Sequence, residues 1–367
     1  MNNTISNWNG TDHRAIYSRQ LKENPLYYDR NLNTWVVYSY AYCKAILQHT
    51  DALIPLPIID DGLSAKAKTL LNNLARLSNG GQHDASRIAA MAVFEKIKRV
   101  STGLVLKELL NGTSTEDGFD WVEVVAKQLP VRLLLKGLDF NEGDSYYIAE
   151  NLQTLVRIML PNKSEQDIQL LNIVVDALYQ IAEKHAEILG LLTGQTKVNE
   201  ATICNLVGLF IQCYDAGRGL LCNALLNMAK YPNIDVADLN KLVVETLRYD
   251  PPVHNTRRIA ANDITIGTQT IKAGEMILVV LAAANLDAQV FTNPCEFDIM
   301  RGNNNEHLTF GLGGHHCLAK YLCVAVAADV CRFLDENYRH IHILQNEFTY
   351  EPQLNVRPIK QLVVSLS

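Results

Sequence analysis

Apolar residues recur at helical spacing along most of this chain. The spacing predicts helices at 40–48, 84–111, 119–137, 146–160, 166–193, 200–230, 240–249 and 317–335. Short β-like segments are fewer, and they lie at 34–39, 263–266, 269–272, 276–280 and in a small tail after 340. Between the two kinds of segment, residues 284–316 are rich in loop signals. We therefore expect a mainly α fold with small β-sheets.

Composition and charge narrow the class of protein. The chain has 367 residues, 48% of them hydrophobic, and it contains no Ser/Gly-rich linker and no internal repeat. These features predict a single domain over residues 1–367. The formal net charge of −6 argues against nucleic acid as a partner, because phosphate binding needs a basic face. The N-terminus is polar and no apolar run reaches the roughly 20 residues of a membrane span, so we expect a cytoplasmic protein with no membrane partner.

Eight cysteines are present, without CxxC pairs or the spacing of a small disulfide framework. In a chain of this length most cysteines are reduced, buried and small hydrophobic residues. Cys317 differs because of its neighbours: three glycines fall within residues 311–314, just before it. They permit a tight turn that folds backbone amides inward, and the cysteine stands at the start of the predicted helix 317–335, whose dipole favours a thiolate. The alternative is a glycine turn with a buried capping cysteine.

Residues 310–319 resemble the F-G-x-G-x-H-x-C-x-G haem-ligand signature of cytochromes P450. The matching residues are Phe310, Gly311, Gly313, His315 and Cys317, and Ala319 replaces the last glycine. The resemblance implies that Cys317 is the axial ligand to the iron of haem b (iron protoporphyrin IX). It also implies that Phe310 shields the thiolate, that Gly311 belongs to the cofactor-binding loop and that His315 bonds a haem propionate.

Further matches occur in the family's order along the chain. Glu245 and Arg248 form an E-x-x-R pair on a helix, within reach of an ion pair. Arg258, ten residues beyond Arg248, resembles a second propionate anchor, whose guanidinium can hold a carboxylate through two hydrogen bonds. His83 and Arg87, spaced i, i+4, resemble the H-x-x-x-R pair that bacterial members direct at the propionates. Taken singly, each pair would be an ordinary surface feature.

One departure concerns the loop-rich stretch. The family often has an arginine before a phenylalanine there, as a third partner of the E-x-x-R pair, whereas Glu296 precedes Phe297 in this chain. Arg301 is the candidate substitute.

A second departure concerns the helix 200–230, which the resemblance places above the iron. Cytochromes P450 usually carry an acid and an alcohol there as a proton relay. Aligning on the Ala-Gly pair at 216–217 puts Gly219 and Leu220 at those two positions. Aligning on the distance to Tyr231-Pro232 puts Asp215 and Ala216 there; we prefer this register because it keeps the acid and needs no gap. Neither register has a threonine or serine at the alcohol position.

Asp215 is therefore the candidate acid and Ala216 marks the missing alcohol. A carboxylate in this apolar segment needs water or a partner, and Arg218, three residues on, is a candidate partner.

The resemblance implies the cytochrome P450 fold and a monooxygenase that oxidises a small organic substrate, in secondary metabolism, with dioxygen. Electrons would come from a ferredoxin or flavodoxin-type partner, because the chain has no flavin or iron–sulfur motif. Two alternatives stay open. One is a peroxygenase or a haem-dependent isomerase or dehydratase, which has no use for the alcohol, and the other is a non-catalytic recruitment scaffold.

Overall fold

The computed structural model describes residues 13–353 and 355–367. Within this part of the chain the fold is mainly helical. The α-helices are α1 (His13–Glu23), α2 (Tyr40–Gln48), α3 (Ala65–Asn73), α4 (Gly80–Phe94), α5 (Thr102–Leu110), α6 (Leu129–Gly137), α7 (Glu142–Val156), α8 (Glu165–Ile188), α9 (Thr196–Lys230), α10 (Leu239–Tyr249), α11 (Leu281–Ala284) and α12 (Lys320–Asn337).

The strands are short and form three small sheets. They are β1 (Leu26–Asp29), β2 (Thr34–Val37), β3 (Ala52–Leu53), β4 (Phe119–Asp120), β5 (Thr256–Ala260), β6 (Ile264–Ile266), β7 (Gln269–Ile271), β8 (Met276–Val279), β9 (Ile341–Ile343) and β10 (Val363–Leu366). The largest sheet has the strand order β1-β2-β8-β5-β3, in which only β2 and β8 pair in parallel. The other sheets are β4-β10-β9 and the hairpin β6-β7. The expected mainly α fold with small β-sheets is confirmed.

The chain divides into two compact units, and each is described by itself. One unit comprises the described residues of 1–53, 102–127 and 215–367, and it contains all three sheets. The other comprises 54–101 and 128–214 and is helical. The prediction of a single domain over 1–367 stays a prediction. No helix among the described residues combines the length and apolar character that a membrane crossing requires.

Within the helical unit, one large apolar cluster is built from residues of α3, α4, α6, α7, α8 and the first part of α9. Ser64 immediately precedes α3, and its hydroxyl has two roles. It accepts a hydrogen bond from the amide of Ala67 (3.1 Å), which caps the helix, and it donates to Asp176 of α8 (2.7 Å). The cap therefore also attaches α3 to its neighbour.

Several predicted helices differ from those observed. The segment predicted as one helix over 84–111 is two helices, α4 and α5. The chain leaves the helix between them because the amide of Lys98 donates to the carbonyl of Gly137 (2.7 Å) instead of to its own turn. The predicted helix 119–137 begins as strand β4, which pairs with β10, and continues as a π-helical turn, Val122–Ala126, before α6. In both cases distant partners override the local periodicity.

Candidate active site

The glycine-rich loop before α12 is closed by a hydrogen bond between its two ends. The amide of Cys317 donates to the carbonyl of Phe310 (2.9 Å), and the amide of Gly311 donates to the carbonyl of Leu308 (2.8 Å). Gly311 and Gly313 both have positive φ, at 67° and 70°, which side chains other than glycine rarely adopt. At Gly313 a Cβ atom would also lie 2.7 Å from the carbonyl oxygen of Leu47 at the end of α2. Glycine is therefore required there on two grounds.

The predicted helix 317–335 is displaced. Helix α12 begins at Lys320, after a turn at residues 318–319, so Cys317 lies three residues before the first helical residue. The expectation that the cysteine starts the helix is therefore wrong. Its amide donates to the carbonyl of Phe310, so Cys317 is part of the loop and not of the helix. The Cys317 side chain is partly exposed.

Most other cysteines are held as neutral thiols. Burial raises the pKa of Cys204, Cys222 and Cys331 to about 12 in each case. Burial also raises the pKa of Cys323 to about 12, and the charge of nearby Cys317 adds to the effect. A thiolate is the form that binds a metal, so these four residues are poor competitors of Cys317 for an iron.

Arg258 carries a buried positive charge. It lies on β5 and is 3% exposed, and its guanidinium donates to the hydroxyl of Thr256 (3.0 Å) and the carbonyl of Arg257 (2.8 Å), which are neutral groups. No carboxylate of the described residues forms an ion pair with it, and burial lowers its pKa to about 10. An isolated buried charge is costly. A carboxylate group brought by a cofactor would compensate this charge, so the residues present fit a propionate-bearing haem.

The other three predicted propionate contacts are distributed over both units. His83 and Arg87 lie together on α4, as their spacing predicts. His83 is buried and its Nδ1 donates to the carbonyl of Ala75 (2.8 Å), whereas Arg87 is partly buried. His315 is partly buried in the short 3₁₀ turn Gly313–His315, in the same unit as Arg258.

The E-x-x-R pair is fully buried. Arg248 donates to both carboxylate oxygens of Glu245, over 2.8 and 2.6 Å, and both side chains have no exposed area. The Nε atom of Arg301 lies 3.5 Å from the same carboxylate. Arg301 therefore takes the position of the third partner, which the Glu296-Phe297 departure had left open.

Asn285 and Thr309 connect helix α10 to the cysteine loop. Neither residue was predicted from the sequence. The side-chain amide of Asn285 donates to the hydroxyl of Thr309 (2.9 Å), and its carbonyl oxygen accepts from the amide of Leu308 (2.7 Å). The Thr309 hydroxyl in turn donates to the carbonyl of Leu247 in α10 (2.6 Å). The signal in the sequence was slight: one polar residue at the end of LAAAN, and the threonine of HLTF.

Asp215 has the partner that its apolar setting requires. The Nη2 atom of Arg218, 2% exposed, lies 2.8 Å from Asp215 Oδ1 on the same helix. Arg218 also donates from Nη1 and Nη2 to the two carboxylate oxygens of Glu351, over 2.9 and 2.6 Å. Glu351 was not predicted from the sequence.

Ala216 is partly exposed beside Asp215, and α9 is continuous through both residues. In the other register, Gly219 would hold the acid position. A Cβ atom there would lie 2.7 Å from Cβ of Pro252, so the site has no room for a carboxylate side chain. The choice between the two registers stays a prediction.

The chain is similar in sequence to known proteins. The family model described as cytochrome P450 matches residues 235–323. Cytochrome P450 119 of Sulfolobus acidocaldarius is 27% identical over 95% of this chain and 98% of its own length. Cytochrome P450 GfsF of Streptomyces halstedii is 30% identical over 78% of this chain and 76% of its own length.

Solved structures agree on the fold. The structure of P450BioI in complex with hexadec-9Z-enoic acid ligated acyl carrier protein has a TM-score of 0.83 and 22% identity, and the match covers 97% of this chain and 98% of the other. CYP109E1 from Bacillus megaterium in complex with testosterone has a TM-score of 0.82 and 20% identity, with 97% and 99% coverage.

Proposed function

Because this chain belongs to the cytochrome P450 family, we propose that it is a haem-thiolate monooxygenase that oxidises a small organic substrate. The observation that carries the proposal is the cysteine loop. Its glycines have the positive φ values that close the turn, and the amide of Cys317 bonds to Phe310. The thiol groups of four other cysteines have pKa values raised by burial, which makes those residues poorer candidate ligands than Cys317.

Haem b, when bound, supplies the chemistry of dioxygen activation and substrate oxidation. The protein's part is to hold, orient and tune it. Cys317 supplies the thiolate, Phe310 shields it, and Gly311 lets the loop fold around it. Amides directed at a thiolate sulfur stabilise its charge and so set the potential of the iron.

The propionates of the haem would be held by four side chains, His83, Arg87, Arg258 and His315. Arg258 has the strongest support, because its charge is buried among neutral groups. The guanidinium can donate two hydrogen bonds to one carboxylate. Binding the cofactor would therefore relieve a desolvation cost that the haem-free protein carries.

Asp215 is proposed as the residue that holds the proton on the substrate side, since Arg218 keeps its carboxylate in place. Ala216 cannot donate or relay a proton because its side chain is a methyl group. A hydroxyl of the substrate, or a water molecule held between the substrate and Asp215, would complete the path. We therefore expect substrates that carry a hydroxyl or another proton donor.

Ala216 is also compatible with a second candidate function. A peroxygenase, or a haem-dependent isomerase or dehydratase, needs no alcohol at position 216, so Ala216 is compatible with each. For the monooxygenase, electrons would come from a ferredoxin or flavodoxin-type partner, in the cytoplasm. One structural neighbour was solved with a fatty acid on acyl carrier protein, and a carrier-bound substrate in secondary metabolism is one form that the small molecule would take.

The test is the absorption spectrum of the reduced protein with carbon monoxide. Thiolate ligation should give the far-red-shifted Soret band of this family. Cys317→Ala should lose the band, whereas Cys323→Ala, the matched control six residues further on, should keep it. A thiolate band that persists in Cys317→Ala would move the ligand to another cysteine and refute the proposal.

A further inference from the structure

Arg218 is shared between two carboxylates. Both of its Nη atoms are hydrogen-bonded to Glu351, over 2.9 and 2.6 Å, and Nη2 also lies 2.8 Å from Asp215 Oδ1. The guanidinium is almost fully buried at 2% exposed, and the two carboxylate side chains are 25% and 27% exposed. The three groups together carry a formal charge of −1, so the two acids compete for one cation.

Glu351 is fixed by its own backbone. Its amide donates to the carbonyl of Pro358 (3.0 Å), and the bridge between Tyr350 and Ile359 joins the same two stretches of chain. The acid is therefore presented to α9 by a tertiary partner and not by a helical neighbour. Asp215 and Arg218, by contrast, are one turn apart on α9.

Glu351 is ionised at neutral pH. Burial raises the pKa of its carboxyl group, but the hydrogen bonds and the positive charge of Arg218, with a smaller contribution from Lys127, outweigh burial and lower it. Lys127 is itself paired with Glu123. The negative charge of Glu351 is thus a permanent feature beside Arg218.

We propose that Glu351 is a positioning residue for Asp215 and acts through Arg218. By engaging both Nη atoms, Glu351 competes with Asp215 for the one guanidinium. Asp215 is then held in place by a positive charge that it shares with a second carboxylate. A carboxylate that must pass protons has to gain and lose them, and a divided guanidinium permits this better than an undivided one. This inference rests on the proposed role of Asp215.

Glu351→Gln keeps the shape of the side chain and removes its charge. Arg218 should then pair more strongly with Asp215, which becomes a poorer proton carrier. If the substitution lowers the proton affinity of Asp215 about tenfold, the fraction of Asp215 that is protonated also falls roughly tenfold. We expect the ratio of dioxygen-dependent to peroxide-supported turnover to fall about tenfold, because peroxide brings its own protons. Glu347→Gln removes an exposed charge from the same segment and should leave the ratio unchanged.

Two further measurements separate positioning from mere support of the fold. Glu351→Asp keeps the charge and should restore the ratio toward that of the native protein. The infrared C–O stretch of the reduced carbon monoxide complex needs no turnover. It should move to lower frequency in Glu351→Gln, since the neighbouring triad loses one negative charge.

The outcomes are distinguishable. If Asp215→Asn lowers the turnover ratio but Glu351→Gln changes neither the ratio nor the stretch, the inference is wrong and the proposed role of Asp215 stands. If Asp215→Asn also leaves the ratio unchanged, both are wrong. A tenfold fall in Glu351→Gln, partial recovery in Glu351→Asp and a shifted stretch would together support the inference.

Discussion

Arg248 and Glu245 form an ion pair from which water is excluded, one turn apart on α10. Arg248 also donates to the carbonyls of Asn285 (2.9 Å), Pro294 (2.9 Å) and Glu296 (3.0 Å). Glu245 accepts from the amide of Asp298 (3.0 Å). The pair therefore fixes the loop that leads to the cysteine segment, and its function is to organise backbone far away in sequence.

We expect Arg248→Lys to destabilise the protein by about 3 kcal/mol or more, because lysine cannot supply the planar donors and leaves a buried carboxylate poorly paired. The measurement is urea unfolding at pH 7. The matched control is Arg332→Lys, which alters an i, i+3 pair with Asp329 whose side chains are 39% and 38% exposed. That change should cost less than about 1 kcal/mol. Equal costs for the two variants would contradict the organising role.

Arg258→Leu should lower the haem content of the purified protein, measured as the ratio of haem to polypeptide. It removes the buried charge that we assign to a propionate. In the haem-free protein the same change should cost little stability, since an uncompensated buried charge is unfavourable there. Arg87→Leu should lower haem content as well, and Lys320→Ala should not. Equal haem content in all three variants would refute the propionate assignment.

Ala216→Thr tests how protons reach the reaction centre. If a hydroxyl of the substrate substitutes for the alcohol, the native protein should be well coupled, and the threonine variant should form less product per NAD(P)H consumed. General acid catalysis is worth roughly two to four orders of magnitude, so an unrepaired gap would appear as hydrogen peroxide released in place of product. Product formed from peroxide, but not from dioxygen and reductant, would favour the peroxygenase. Turnover without oxidant or reductant would favour an isomerase or dehydratase.

Acid should destabilise the protein because some of its histidines are buried and uncharged in the folded state. Desolvation, followed by the charges of Arg357 and Arg14, lowers the pKa of His13 to about 2. Desolvation, followed by Lys320 and Arg248, lowers the pKa of His307 to about 3. The unfolded chain binds these protons below pH 6.5 and the folded chain does not. The free energy of unfolding therefore falls as the pH drops from 6.5 toward 3.

At pH 5 each such histidine should lower the stability by about 2 kcal/mol relative to neutral pH. His13→Gln should therefore reduce the difference in unfolding free energy between pH 7 and pH 5 by about that amount. His340→Gln, at an exposed position, is the control and should leave the difference unchanged. An undiminished difference in His13→Gln would show that this histidine is not held neutral in the folded protein.

Local relationships within the candidate site could be predicted from the sequence, because the residues concerned are close together along the chain. Three signals each lie within one turn or on one helix face. They are the three glycines before Cys317, the pair Glu245 and Arg248 at i, i+3, and the pair His83 and Arg87 at i, i+4. Backbone geometry alone fixes such relationships. The same holds for α2 and α10, whose predicted bounds agree with the observed ones to within one residue.

Tertiary structure decided what depends on partners distant in sequence. The break between α4 and α5 follows from a hydrogen bond to Gly137, and strand β4 exists because β10 pairs with it. Arg301 reaches Glu245 across 56 positions, and Glu351 reaches Arg218 across 133. Tertiary structure also decided burial, because an E-x-x-R pair has the same sequence whether it lies on the solvent-exposed surface or in the core. Periodicity records which face of a segment is apolar, but only the packed chain determines which charges lose their water and which partner replaces it.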